Sequence, residues 1–169
     1  GALLPNKDNR YVFAPHFNHR SHPEEEIARP LWIDVHLQGR EPLPKTPRAK
    51  WALKTPSGIP HFKVMPDPKL PVAQVSVFYS EDGDPRSRFF RDAQASETGK
   101  GSWEARLPKL DSEAPLFAFA HIYYDLPKPE PLSRNRTVEQ FCLSSNLLVA
   151  KPEELKEAKV KATAKPSLL

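Results

Sequence analysis

Phe117-Ala118-Phe119-Ala120-His121-Ile122-Tyr123 decides how this chain is read. Its side chains alternate with a period of two, the period of extended backbone, in which neighbours point to opposite faces of a sheet. Val75-Ser76-Val77-Phe78-Tyr79 alternates in the same way. Working outward, Trp51-Ala52-Leu53-Lys54, His61-Phe62-Lys63-Val64, Val72 to Tyr79, Arg88 to Ala95, Ser102 to Leu107, Leu116 to Tyr124 and Thr137 to Leu148 are short segments separated by turn signals. Lengths of this kind, so spaced, predict a mainly β domain over residues 48–150, an antiparallel immunoglobulin- or fibronectin-III-like sandwich, in preference to an incomplete barrel because nothing in the spacing suggests closure. Gly99-Lys100-Gly101-Ser102-Trp103 reads as a hairpin turn that enters a strand.

The composition fits a folded chain of one domain, or one domain plus a fragment. Of 169 residues, 38% are apolar and 27% charged, enough for a modest core. Twenty prolines stand against six glycines. Proline removes a backbone donor and fixes φ, so helices here must be short and strands must sit between proline-marked turns. The net charge of +4 is spread along the chain with no basic stripe, and even Lys151 to Lys165 alternates with Glu153, Glu154 and Glu157. That pattern is a solvated surface and argues against a nucleic-acid partner. No run approaches the ~20 apolar residues of a membrane span. Cys142 is the single cysteine, which excludes an internal disulfide and a cysteine-based metal cluster. Within Phe141-Cys142-Leu143 it reads as a small buried apolar residue.

The first forty-seven residues are of another style. Arg10-Tyr11-Val12-Phe13-Ala14-Pro15 is a β-prone run, followed by the polar loop His16-Phe17-Asn18-His19-Arg20-Ser21-His22. Ser21 and Glu24 have capping-box spacing, Pro23 suits a first turn, and Glu24 to Glu26 suit the positive end of a helix. Pro30 interrupts that helix or restarts it. Leu31, Trp32, Val35 and His36 then share one helical face, and Gly39 is placed as a C-terminal cap. Glu41 to Pro47 reads as an extended linker.

Phe13-Ala14-Pro15-His16-Phe17-Asn18-His19-Arg20, Leu31 to Gly39 and Pro42-Leu43-Pro44-Lys45-Thr46-Pro47 together resemble the end of α/β-hydrolases of the PhoPQ-activated pathogenicity-related and acetylxylan-esterase-like groups. Val77-Phe78-Tyr79-Ser80, Asp84 to Ala93, Trp103 to Pro108 and Pro115 to Ala120 are similar to the β-sandwich extension attached to those bacterial enzymes. The resemblance implies that residues 1–47 are the last strand, histidine loop and final helix of a hydrolase domain, with linker. It implies a bacterial parent that hydrolyses an ester or amide through a serine acyl-enzyme, with His19 as general base. Imidazole suits that task because its pKa is near neutral. His16 and His22 are rivals for the role.

Chemistry by the chain alone is argued against by a missing nucleophile. No Gly-x-Ser-x-Gly occurs, and Gly101-Ser102 and Pro56-Ser57-Gly58 read as turns. A serine–histidine–acid site needs all its members and an oxyanion hole. Asp34 and Asp125 are carboxylates without an identifiable partner. Zinc at His16, His19 and His22 fits no known ligand spacing, and Ser80 to Pro85 is too short for a calcium loop and reads as a turn. No metal and no cofactor is expected. Arg86 to Asp92 reads as a strand with Phe89 or Phe90 inward and its arginines in solvent. A second reading, a stand-alone carbohydrate-binding module, would use Trp51, Trp103, Tyr123 and Tyr124 as an exposed aromatic row. The hydrolase reading expects instead an open apolar face on the 30–38 helix, to be covered by the missing upstream domain or by a second copy. Residues 151–169 are expected to form a short helix or a flexible tail leading into a further domain.

Overall fold

The computed structural model describes residues 8–15, 21–86, 88–99 and 101–164. The alternating run lies in β6 (Leu116–Ser133), the axis of the fold. β3 (Val72–Ser80) lies along one edge of β6, with Phe78 opposite Phe119 and Val77 opposite Ala120. β7 (Arg136–Ser144) and β8 (Leu148–Ala150) lie one after the other along the opposite edge. Ser145 fills the gap between them. Its N–H donates to the Ala120 carbonyl (2.8 Å) and its hydroxyl accepts from the Ala120 N–H (2.9 Å).

On the far side of β3, β4 (Arg91–Gly99) serves two partners. Arg91 to Gln94 pair with β3, and Ala95 to Gly99 pair with β5 (Ser102–Arg106). β5 pairs with β2 (His61–Met65), and β2 with β1 (Arg48–Ala52). The order is therefore β1-β2-β5-β4-β3-β6-β7, antiparallel throughout these strands. The mainly β, antiparallel fold expected from the alternation is what forms, as one curled and open sheet, a half-barrel. Phe62, Val64, Leu116, Ile122, Tyr124 and Phe141 fill the inside of the curl.

β6 runs nine residues past Tyr124, where the expected strand stopped. This extension pairs with β7 alone, through Glu130 with Val138 and Ser133 with Arg136. β4 begins at Arg91 and reaches Gly99, whereas the aromatic pair Phe89-Phe90 suggested an earlier start and an end at Ala95. The arginines of that stretch are not simply solvated. Arg88 stacks on the Phe117 ring at 3.6 Å, and Arg91 lies over Tyr79 at 4.5 Å and pairs with Glu81. Phe89 is exposed, and Phe90 meets Phe119 edge to face. Glu81 is the hub of a buried ionic cluster. Its carboxylate also accepts the N–H groups of Leu110 and Asp111 and lies 3.5 Å from the fully buried Lys109 ammonium.

The run from Arg10 to Pro15 forms no strand among its described residues. Tyr11 makes an isolated bridge to Ser144 at the end of β7. Its carbonyl accepts the Ser144 N–H, and the Phe13 N–H donates to the Ser144 hydroxyl. α1 (Pro23–Glu26) follows, with His22 as its N-cap where Ser21 was expected. Proline prefers the first helical position, so Pro23 makes the preceding residue the cap. Glu25, three residues on, accepts the His22 N–H at 3.1 Å. α2 (Ala28–Leu37) carries Pro30 in its first turn, where backbone donors have no helical partner, and Gly39 follows its end with φ 67° as the sequence predicts. Residues 41–47 lie against the body: Leu43 is buried, and the Pro44 carbonyl accepts from Arg10. Nor is the region after 150 loose up to residue 164. α3 (Pro152–Glu157) buries Leu155, and the Thr163 and Ala164 N–H groups bond the Lys109 carbonyl. Among the described residues no helix is long and apolar enough to cross a membrane.

Candidate functional site

His19, with His16, lies outside the described residues. His22 is exposed at the head of α1. The carboxylates singled out from sequence are separate: Asp125 accepts from Gln140 across the β6–β7 pair, and the backbone carbonyl of Asp34 caps the end of α2. Among the described residues no three His, Cys, Asp or Glu side chains gather as a metal site. The acidic turn uses its own oxygens. Asp82 accepts the Asp84 N–H and Asp84 accepts the Arg86 N–H, each at 2.9 Å.

The four aromatic residues considered for carbohydrate binding are placed as follows. Trp51 and Trp103 lie on the inner face of β1 and β5, on the same side as Phe62 and Val64, and are half-buried against the core. Trp51 meets Phe62 edge to face at 5.8 Å. Tyr124 is completely buried; its hydroxyl accepts the Asp67 N–H at 3.1 Å and its ring stacks on Phe141. Tyr123, on the other face of β6, is half-buried, 6.1 Å from His121. The four do not form one exposed row.

The most concentrated chemistry was missed by sequence reasoning. Glu25 of α1, His121 of β6 and the pair Ser144 and Ser145 at the end of β7 are all buried polar residues. Glu25 points down from α1 so that Oε1 lies 3.7 Å from Nδ1 of His121 on β6. His121 and Ser144 are cross-strand partners in the β6–β7 register, so they share a face. Phe78 and Phe119 flank the imidazole at 4.9 and 5.4 Å. Burial pushes the Glu25 carboxyl above its ordinary value, against the pull of the His22 N–H bond. Burial likewise pushes the Cys142 thiol and the Tyr123 phenol up. The one signal in the sequence was a histidine inside an otherwise apolar run, Phe119-Ala120-His121-Ile122.

The residue types are those of a hydrolytic triad, but they are not arranged as one. The Ser144 hydroxyl is engaged by the Phe13 N–H, and the Ser145 hydroxyl bonds Ala120 and Asn146. The 3.7 Å gap between Glu25 and His121 exceeds hydrogen-bond reach. Among the described residues the carboxyl and the imidazole are 1% and 0% exposed. What the pair can do is hold a proton. Next to it, a half-open cleft of about 330 Å³ lies between Val12, Arg10, Arg29, Trp32 and Leu143, with Glu25 at its edge. Trp32 is fixed there by donating its indole N–H to the Asp8 carbonyl at 2.9 Å.

Compared with protein-family models, curated proteins and solved structures, the chain matches none of them.

Proposed function

We propose that this chain is a non-catalytic region from the C-terminal side of a serine-type α/β-hydrolase, similar to the PhoPQ-activated pathogenicity-related and acetylxylan-esterase-like groups. Its β-rich body acts as an accessory or packing domain. The observation that carries this reading is the second apolar row of α2. Ile27, Ala28 and Leu31 face inward and are buried, while Ile33 and Leu37 stand 37% and 78% exposed at i, i+4 spacing. A helix with apolar residues on two sides is built to be covered twice. One side meets the sheet of this chain; the other fits the missing hydrolase domain, or a second copy of the chain.

The strand order also supports an immunoglobulin- or fibronectin-III-like reading of the body. That reading takes β1-β2-β5 as one layer and β4-β3-β6-β7 as the other, with the β4–β5 pairing as the join between them. In the intact parent, His19 takes the proton of a serine supplied by the earlier part of the chain, and the reaction is ester or amide hydrolysis.

The test is the mass of the native protein together with the reading frame upstream of Gly1. The expected result is a longer chain with Gly-x-Ser-x-Gly before this segment. That longer protein should hydrolyse p-nitrophenyl acetate, and His19→Ala should lower its kcat by about 10⁴-fold or more. A native protein of only this length would sink the hydrolase reading and leave a stand-alone binding module.

A further inference from the structure

We infer that Glu25 and His121 share a single proton and form a pH-dependent latch that holds α1 and α2 against the sheet. The geometry is specific. Glu25 is the one residue of α1 that is buried, and its carboxyl lies directly over His121. Oε2 accepts the His22 N–H, whereas Oε1 has no hydrogen-bond partner among the described residues and lies 3.7 Å from the imidazole. A carboxylate or an imidazolium buried without its opposite charge is costly, so the closed arrangement is most favourable with one proton between the two groups. The pair titrates as a unit, whichever atom carries the proton.

The charged and titratable groups around the latch come from four elements. His22 caps α1, which itself carries Glu24 and Glu26; β6 brings Tyr123, β7 Cys142, and β4 Asp92. Tyr123 and Cys142 stay protonated over the range concerned, because burial raises both. His16 and His19 lie outside the described residues and are addressed by variants below.

With the helices undocked, both groups sit in water. The carboxyl then titrates near 4.5 and the imidazole near about 6.5. Above the imidazole value the undocked pair holds no proton and the docked pair one, so docking weakens as pH rises. Below the carboxyl value the undocked pair holds two protons and the docked pair one, so docking weakens as pH falls. Docking is therefore tightest in mild acid. On each flank the opening constant rises about tenfold per pH unit, the slope of a one-proton linkage. Opening would lift Ala28 and Trp32 away from Leu143, and the cleft would lose a wall.

The experiment is hydrogen–deuterium exchange on the full chain from about pH 3.5 to about pH 8.5, corrected for intrinsic exchange. Peptides covering residues 23–37 are read against peptides from β3 and β6. The expected result is a protection maximum for 23–37 between the two ordinary values, while β3 and β6 stay protected. Glu25→Gln should keep the helices docked and remove the alkaline flank, since a neutral amide needs no shared proton. His121→Gln gives a second reading should the first variant fail to fold. His16→Gln and His19→Gln should leave the profile unchanged. A flat or monotonic wild-type profile, a flank that survives in both Glu25→Gln and His121→Gln, or one lost in His16→Gln or His19→Gln would overturn the latch.

Discussion

Lys159 is the only non-glycine among the described residues with a positive φ, 56°. Its place explains why. It follows Ala158, the C-cap of α3, and the chain turns back there through two bonds: the Lys159 N–H to the Lys156 carbonyl and the Val160 N–H to the Leu155 carbonyl, both 3.0 Å. This is a Schellman ending, with buried Leu155 and Val160 as its apolar contact. A β-carbon in the left-handed region costs about 1 kcal/mol, which glycine avoids. Lys159→Gly should therefore raise stability by roughly 0.5–1 kcal/mol, seen as a higher urea midpoint with unchanged slope. Gly58 is the opposite case. With φ +74°, its β-carbon would stand 3.3 Å from the Lys159 carbonyl oxygen, so an alanine there is strained twice over. Gly58 falls in the Pro56-Ser57-Gly58 turn that the sequence indicates, whereas Lys159 does not announce itself, because its αL geometry is imposed by what α3 buries, not by the lysine.

At the scale of elements, the ionic cluster on Glu81 ties the end of β3 to the turn at 109–111. Burial pushes the Glu81 carboxyl up, but the amides of Asp111 and Leu110, the Arg91 guanidinium and the Lys109 ammonium together hold it below its ordinary value. A carboxyl whose folded pKa is lowered adds stability that is complete above its ordinary value of 4.5 and fades as pH falls through the folded value. Glu81→Gln leaves the buried Lys109 without its counter-charge and should cost about 3 kcal/mol at neutral pH. The cost should shrink as pH falls below 4.5 and through the folded value, where the wild type loses the same charge; denaturant melts at neutral pH and in acid check both parts. The elements themselves were legible to different degrees. β2, β3 and β5 lie where their period-two runs place them, since alternation reports directly on a sheet with one buried face. β4 and the end of β6 were misread because their pairing residues are polar or proline, and there tertiary partners outweigh local pattern. The Arg10–Pro15 run looked like a strand but makes a β-bridge only at Tyr11. The Glu25–His121 pair spans 96 positions and joins a helix to a strand, and no local pattern reports such a contact.

For the whole molecule, the free edges decide whether it stays single. The β6 extension, Leu126-Pro127-Lys128-Pro129-Glu130-Pro131-Leu132-Ser133, projects beyond the end of β3 with β7 as its ladder partner. Proline at every second position removes donors from what is otherwise an open template for another chain. Arg40 reaches back from beyond α2 to pair with Glu130 at 2.7 Å, which holds the extension to the body. Replacing Pro127, Pro129 and Pro131 with threonine should turn the extension adhesive, and light scattering should then show association that grows with concentration. The sharing of β4 has a different consequence. One strand sets the register of both halves of the curl: Val77 opposite Ala93 on one side and Ala95 opposite Ala105 on the other. A slip of one residue would turn Ala93 and Ala95 outward and put the charged Asp92 and the polar Gln94 inward, spoiling two seams at once. β4 thus works as a common gauge, and an error in reading it is penalised twice.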